Sequence, residues 1–188
     1  MEEQTTGCLV CGAPLEYFPS QIEMECTYCH KTFMSNARCV NGHFICDSCH
    51  EQMGLRVIED ICRHTDSKDP VAIMKKIILS PYIYMHGPEH HVLVGSALLA
   101  AYKNAGGELD LDAALEEMRN RGAQVPGGIC GLWGTCGAAV STGIFVSLIT
   151  GASPLSGKEW GLCNEMTSRS LGAIAKTGGP RCCKRDSY

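Results

Sequence analysis

The feature that most constrains this chain is a set of four metal-ligand pairs within its first 50 residues. The pairs are Cys8 with Cys11, Cys26 with Cys29, Cys39 with His43, and Cys46 with Cys49. A turn that presents two thiolates, or a thiolate and an imidazole, can fill two corners of a tetrahedral zinc site. The four pairs therefore predict two structural zinc ions. A segment this short buries little apolar surface, so metal binding must supply much of its folding free energy.

The four ligand pairs can form two zinc sites in two ways. In an interleaved order, Cys8, Cys11, Cys39 and His43 hold one ion, while Cys26, Cys29, Cys46 and Cys49 hold the other. In a sequential order, a ribbon from Cys8 to Cys29 precedes a second knuckle. The segment from Cys39 to Cys49 resembles the hairpin of the cross-braced RING, PHD and FYVE modules, which favours interleaving. We expect a small α+β module of the cross-brace or ribbon type, with His30 and His50 outside both sites.

Cysteine usage divides the chain into two parts. Seven of the 13 cysteines precede residue 50, so we predict a zinc module over residues 1–52 and a helical domain over 53–188. The acidic, polar first residues do not resemble a secretory leader, and many thiols without a leader indicate a reducing cytoplasm. The net charge of −4 and the pI of about 6.0 make nucleic acid an unexpected partner.

The second part has the apolar spacing of an all-α domain. Helices are expected from Cys49 toward His64, from Pro70 to Ser80, after Pro88, from Asp110 to Gly122, and from Lys158 to Lys176. No charge occurs between Arg121 and Lys158, and we expect a helix over 132–150 to be the most buried element. A membrane span is the rival interpretation of this stretch. Its glycines, prolines and hydroxyl residues are too polar for one, so no membrane association is expected.

Three motifs of the helical domain carry reactive side chains, and we expect them to face one pocket. They contain His86, Glu89, His90 and His91; Cys130 and Cys136; and Arg181, Cys182 and Cys183. The histidines and the carboxylate either cap a helix or ligate metal and move protons. Unpaired N–H groups at a helix start favour thiolates at Cys130 and Cys136. Arg181, Lys184 and Arg185 should likewise lower the pKa of the two terminal thiols.

These motifs support a catalytic interpretation. If the thiols converge, Cys130, Cys136, Cys163, Cys182 and Cys183 can hold an iron–sulfur cluster, or two of them can cycle as a dithiol. Arg181 would attract a small anionic or sulfur-containing substrate. The leading hypothesis is a cytoplasmic redox or sulfur-transfer enzyme with structural zinc. The simple alternative for a thiol such as Cys163 is packing in a tight helical core.

Two other functions fit parts of the sequence. A zinc-stabilised adaptor would use the N-terminal module to dock a protein or RNA partner without catalysis. A zinc hydrolase would use His86 and His90 as ligands and Glu89 as base, because His-x-x-Glu-His matches a zinc-protease pattern. Gly87 and Pro88 interrupt the continuous helix which that pattern requires.

The three motifs together resemble a cysteine-rich domain family of unknown function from anaerobic bacteria and methanogenic archaea. The resemblance is carried by Met85-His-Gly-Pro-Glu-His-His91, by Pro126-Gly-Gly-x-Cys-Gly-x-Trp-Gly-x-Cys-Gly-Ala-Ala139, and by Gly179-Pro-Arg-Cys-Cys-Lys-Arg185. It covers nearly the whole chain. The resemblance implies the positions of the motifs and the domain boundaries but supplies no reaction.

Overall fold

The computed structural model describes residues 7–188, and the chain divides into the compact units Met1–Gly54 and Leu55–Tyr188. The first unit is built on an antiparallel hairpin of β1 (Leu15–Glu25) and β2 (Thr32–Cys39). Leu15 lies opposite Cys39 and Glu25 lies opposite Thr32, with one irregularity between Tyr17 and Ile22. The hairpin thus carries cysteines both at its turn and at its open end.

Helices are the only regular elements among residues 55–188. They are the last turns of α1 (Asp47–Arg63), then α2 (Pro70–Ile78), α3 (His90–Asn104), α4 (Leu111–Gly122), α5 (Cys130–Trp133), α6 (Gly137–Thr150), α7 (Lys158–Thr177) and α8 (Cys183–Asp186). N-cap side chains determine where two of these helices begin. The Asp69 carboxylate accepts the Val71 N–H before α2, and the Asp110 carboxylate accepts the Ala113 N–H before α4. The molecule is therefore mixed, mostly helical with one two-stranded sheet.

The helical core is centred on α3. Helices α2, α4 and α6 all pack against it, and small residues such as Gly95 allow close approach. The Gly95 N–H donates to the Ser141 hydroxyl of α6 at 2.8 Å. The expectation of one most-buried helix over 132–150 is wrong on two counts. Gly134 adopts a left-handed φ of 65° that ends α5 before α6 begins, and more residues are buried in α3 than in α6.

Helix α7 packs along α6. Gly143 provides the space for this contact, because a β-carbon there would overlap the Thr167 side chain. A hydrogen bond of 2.9 Å also joins the hydroxyls of Thr142 and Ser170. No residue of α7 is fully buried. Within residues 7–188, none of the helices is both long and apolar enough to cross a bilayer.

Candidate metal centres and candidate active site

The N-terminal unit brings its ligand pairs together as two four-residue groups. Cys8, Cys11, Cys39 and His43 form one, and Cys26, Cys29, Cys46 and Cys49 form the other, with the ligand atoms of each group within 4.8 Å of one another. The order is therefore interleaved, not sequential. His30 and His50 belong to neither group: His30 pairs with Glu25 at 2.9 Å, and burial lowers the pKa of His50 to about 4.

The spacing within each group suits tetrahedral zinc. The Cys8 Sγ lies 3.7 Å from the His43 Nδ1, the Cys11 Sγ 3.5 Å from the Cys39 Sγ, and the Cys29 Sγ 3.8 Å from the Cys46 Sγ. Zinc–sulfur bonds of about 2.3 Å in a tetrahedron imply edges of about 3.8 Å. Both groups therefore fit zinc with little rearrangement.

Backbone N–H groups support the thiolate form that zinc requires. The Ala13 N–H and the Asn41 amide lower the pKa of Cys11 to about 6. Burial raises the pKa of Cys26, but the N–H groups of Cys46, Cys29 and Tyr28 outweigh it and bring this pKa to about 6. At Cys11 and Cys26 the turns thus favour charge on the sulfur, whereas burial raises the pKa of Cys39, Cys46 and Cys49.

In the helical unit, the three sequence motifs line one cavity of about 250 Å³. Its walls contain the expected residues His86, His90, His91, Cys130, Cys136, Arg181 and Cys183, together with Gly87, Pro88, Pro126, Gly127, Gly128, Ile129, Thr135, Gly137 and Ala138. Glu89, Cys163 and Cys182 are not among the lining residues. Ligand pockets for drug-sized molecules are commonly about 300–1,000 Å³, so this cavity suits a smaller molecule.

The His91 side chain lines this cavity and is held by a backbone carbonyl. Its Nδ1–H donates to the Val125 carbonyl at 3.1 Å, which leaves Nε2 unprotonated in the neutral ring. Burial lowers the His91 pKa, although the Val125 carbonyl opposes the shift. The ring packs on Gly137, where a β-carbon would overlap it. Sequence reasoning identified His91 and quoted Gly137 within a motif, but it did not predict that the Val125 carbonyl and Gly137 contact the His91 ring.

His90 and Glu89 act in support of the structure. The His90 Nε2–H donates to the Tyr84 carbonyl, and its Nδ1 lies within hydrogen-bond distance of the Ser187 hydroxyl, each at 2.9 Å. Glu89 is buried and accepts the Tyr84 N–H at 3.1 Å. Because both nitrogens of His90 are occupied and Glu89 does not line the cavity, the geometry gives no support to a zinc hydrolase at His86, Glu89 and His90.

Burial disfavours the thiolate form of two cavity thiols, Cys136 and Cys183. Burial raises the pKa of Cys136, against the N–H groups of Ala138 and Ala139 at the start of α6. Burial also raises the pKa of Cys183, against the Gly87 N–H and the nearby Arg181. The expectation that helix N-termini and basic neighbours lower these pKa values is therefore wrong for Cys136 and Cys183. Desolvation is the larger effect at both sites.

The other expected site residues lie elsewhere or are engaged. Lys184 donates from Nζ to the Ile78 carbonyl at 3.2 Å, and Arg185 pairs with Asp186 at 2.8 Å. Cys163 lies half-buried on α7. Among residues 7–188, the two N-terminal groups are the only places where three or more Cys, His, Asp or Glu ligand atoms converge within 4.8 Å. The five cysteines after residue 100 form no such group.

A comparison with protein-family models assigns this second unit to a family. A model of a family of unknown function, DUF5714, matches residues 58–188. The chain therefore belongs to the DUF5714 family. The match begins within α1, so the zinc module lies outside it and the similarity covers less of the chain than expected. Neither the curated proteins nor the solved structures contain a match.

Proposed function

We propose that the helical unit is a thiol enzyme of the sulfur-transfer or dithiol redox type, with Cys136 as nucleophile and His91 as general base. The observation that supports this best is the shared cavity, where Cys130, Cys136 and Cys183 meet an imidazole whose Nε2 is unprotonated. Nucleophilic cysteines without a lowered pKa depend on an adjacent base. The adaptor interpretation does not account for this arrangement.

The chemistry follows from the protonation states. The Nε2 of His91 takes the proton of the Cys136 thiol as the sulfur attacks a sulfur–sulfur bond of the substrate. A new S–S bond forms to Cys136, the substrate's S–S bond breaks, and its electron pair leaves with the departing sulfur. The N–H groups of Ala138 and Ala139 favour the negative charge that develops on the Cys136 sulfur.

Whether a second cysteine attacks Cys136 determines whether the reaction is of the dithiol redox type or of the sulfur-transfer type. If Cys130 or Cys183 attacks the Cys136 sulfur, an internal disulfide forms, the bound fragment leaves as a thiolate, and an external dithiol must restore both thiols. If neither attacks, Cys136 holds the transferred sulfur for an acceptor thiol. The charge of Cys130 raises the pKa of both Cys136 and Cys183, which supports a reaction between neighbouring thiols. We favour thiol chemistry over an iron–sulfur cluster because the cavity cysteines do not converge as a ligand group.

The test is a single-turnover reaction of the full zinc-loaded chain with dipyridyl disulfide, a neutral probe. Peptide mass mapping should place the first mixed disulfide on Cys136. Cys136→Ser should abolish this product, and His91→Gln should slow it by roughly 100-fold at neutral pH, within the range for general-base catalysis. Cys163→Ser, on α7 outside the cavity, is the matched control and should leave the rate unchanged. Reaction of Cys163 as fast as Cys136 would contradict the proposal.

A further inference from the structure

The charges around the cavity are unbalanced. Arg181 is the one lysine or arginine among the cavity-lining residues, and within the described residues 7–188 no aspartate or glutamate lines this space. The nearest carboxylate that influences the thiols is Asp186. It is already engaged by Arg185 at 2.8 Å and by the Cys182 N–H at 3.4 Å. Among the lining residues of the described chain, Arg181 therefore carries the one formal charge, while the buried Glu89 carboxylate packs against the lining residue Gly87.

Arg181 differs from the other basic residues of its segment. Arg185 donates to the carbonyls of Gly178 and Pro180 as well as to Asp186. Arg181 makes no hydrogen bond or ion pair with any residue between 7 and 188. Its planar guanidinium has donors suited to two oxygens of one anion. His86, another lining residue, likewise makes no hydrogen bond within the described chain.

The other lining residues combine reactive side chains with glycines that leave open space. Gly127 and Gly128 have no heavy atom within 4 Å of an added β-carbon, so this part of the wall leaves open space. Cys136 stands at the start of α6, and His91 is about nine-tenths buried with Nε2 free to accept a proton. A ligand that fits must be small, carry anionic oxygens for Arg181, and present a sulfur to Cys136.

We propose that the substrate is a small oxyanion carrying a transferable sulfane sulfur, of the thiosulfate class, bound through its oxygens by Arg181. This inference rests on the proposed function and selects its sulfur-transfer branch. The thiol proton passes from Cys136 to His91, and the sulfur of Cys136 attacks the outer sulfur of thiosulfate. The bond between the two thiosulfate sulfurs breaks, and its electron pair leaves with sulfite. The products are a Cys136 persulfide and sulfite, with no external oxidant or reductant.

The experiment compares thiosulfate with dipyridyl disulfide on the full zinc-loaded chain. Thiosulfate should add one sulfur atom to Cys136 and release one equivalent of sulfite, both absent in Cys136→Ser. Arg181→Gln should lower the ratio of the thiosulfate rate to the dipyridyl disulfide rate by roughly 10- to 100-fold, as expected for a lost charge-assisted contact. Arg181→Lys should recover part of that ratio. Arg169→Gln is the charge-matched control on α7 and should leave the ratio unchanged.

The outcomes separate the two proposals. If dipyridyl disulfide labels Cys136 but thiosulfate yields no persulfide, the oxyanion inference fails and the thiol-enzyme proposal stands. If Arg181→Gln and wild type have the same ratio, Arg181 does not bind the substrate and the inference also fails. If Cys136 is inert to both reagents, both proposals fall.

Discussion

The imidazole of His90 and the hydroxyl of Ser187 meet at 2.9 Å across 97 residues of sequence. The same hydroxyl lies 2.7 Å from the Cys183 carbonyl. Ser187 therefore joins α3 to the segment that carries Arg181 and Cys183 into the cavity. Both Ser187 and His90 are buried, so the bond between them is shielded from water.

Ser187→Ala should destabilise the chain by about 1–3 kcal/mol, because it leaves the buried Nδ1 of His90 without its hydrogen-bond partner. The same change should loosen the terminal segment and accelerate alkylation of Cys183. Denaturant unfolding followed by tryptophan fluorescence, with mass mapping of the alkylated cysteine, measures both effects. Ser168→Ala, at an exposed position of α7, is the control and should change stability by less than about 0.5 kcal/mol. Equal unfolding midpoints for the two variants would refute the structural role of Ser187.

His90 should remain neutral until strongly acid pH, because burial lowers its pKa to about 4. An unfolded histidine has a pKa of about 6.5, so the unfolded state binds more protons between these values. Stability is therefore lost as the pH falls from about 6.5 to about 4, by up to about 3 kcal/mol. NMR titration of the ring proton, assigned by comparison with His90→Gln, reports the pKa directly. A midpoint near 6.5 would show that His90 is not desolvated in solution.

Gly137→Ala should disrupt the cavity, because the added methyl overlaps the His91 ring. We expect a loss of stability of about 1–3 kcal/mol from overpacking, and slower labelling of Cys136 by dipyridyl disulfide as the ring shifts. Gly131→Ala is the matched control, since position 131 has open space around an added β-carbon. If the two alanine variants label at the same rate, the contact between residue 137 and His91 has no functional consequence.

Zinc removal should affect the two units differently. We expect the N-terminal unit to depend on zinc for folding, whereas the helical unit has its own apolar core. Elemental analysis of the full chain should give two zinc equivalents, from the two ligand groups. A strong chelator should then collapse the amide NMR signals of residues 15–39 and leave the indole signals of Trp133 and Trp160 in place. Loss of the indole dispersion at the same chelator concentration would show that the helical unit also requires zinc.

The local parts of this structure were predictable from sequence because their causes are local. A ligand pair in a turn specifies half a zinc site by itself, and Asp69 before Pro70 specifies a helix start. The roles of His90 and His91 were not predictable. They depend on Ser187 and on the Val125 carbonyl, 97 and 34 residues away. Adjacent residues of α3 face different neighbours, so identical side chains acquire different functions.

The direction of the thiol pKa shifts could not be predicted from the sequence either. Sequence reveals the basic neighbours and the helix start that favour a thiolate, but desolvation depends on how deeply the folded chain encloses the sulfur. At Cys136 and Cys183, enclosure has the larger effect. The sequence pattern identified residues that line one cavity, but it predicted the wrong direction for the pKa of Cys136 and Cys183.

The interleaved ligand order gives the zinc module a particular loading behaviour. When Cys8 and Cys11 share an ion with Cys39 and His43, the ion closes a loop that contains Cys26 and Cys29. The chain entropy lost in that closure is then not lost again when the second ion joins Cys26 and Cys29 to Cys46 and Cys49. We therefore expect the first zinc ion to raise the affinity for the second, so that at limiting zinc most chains are either empty or fully loaded and few carry a single ion.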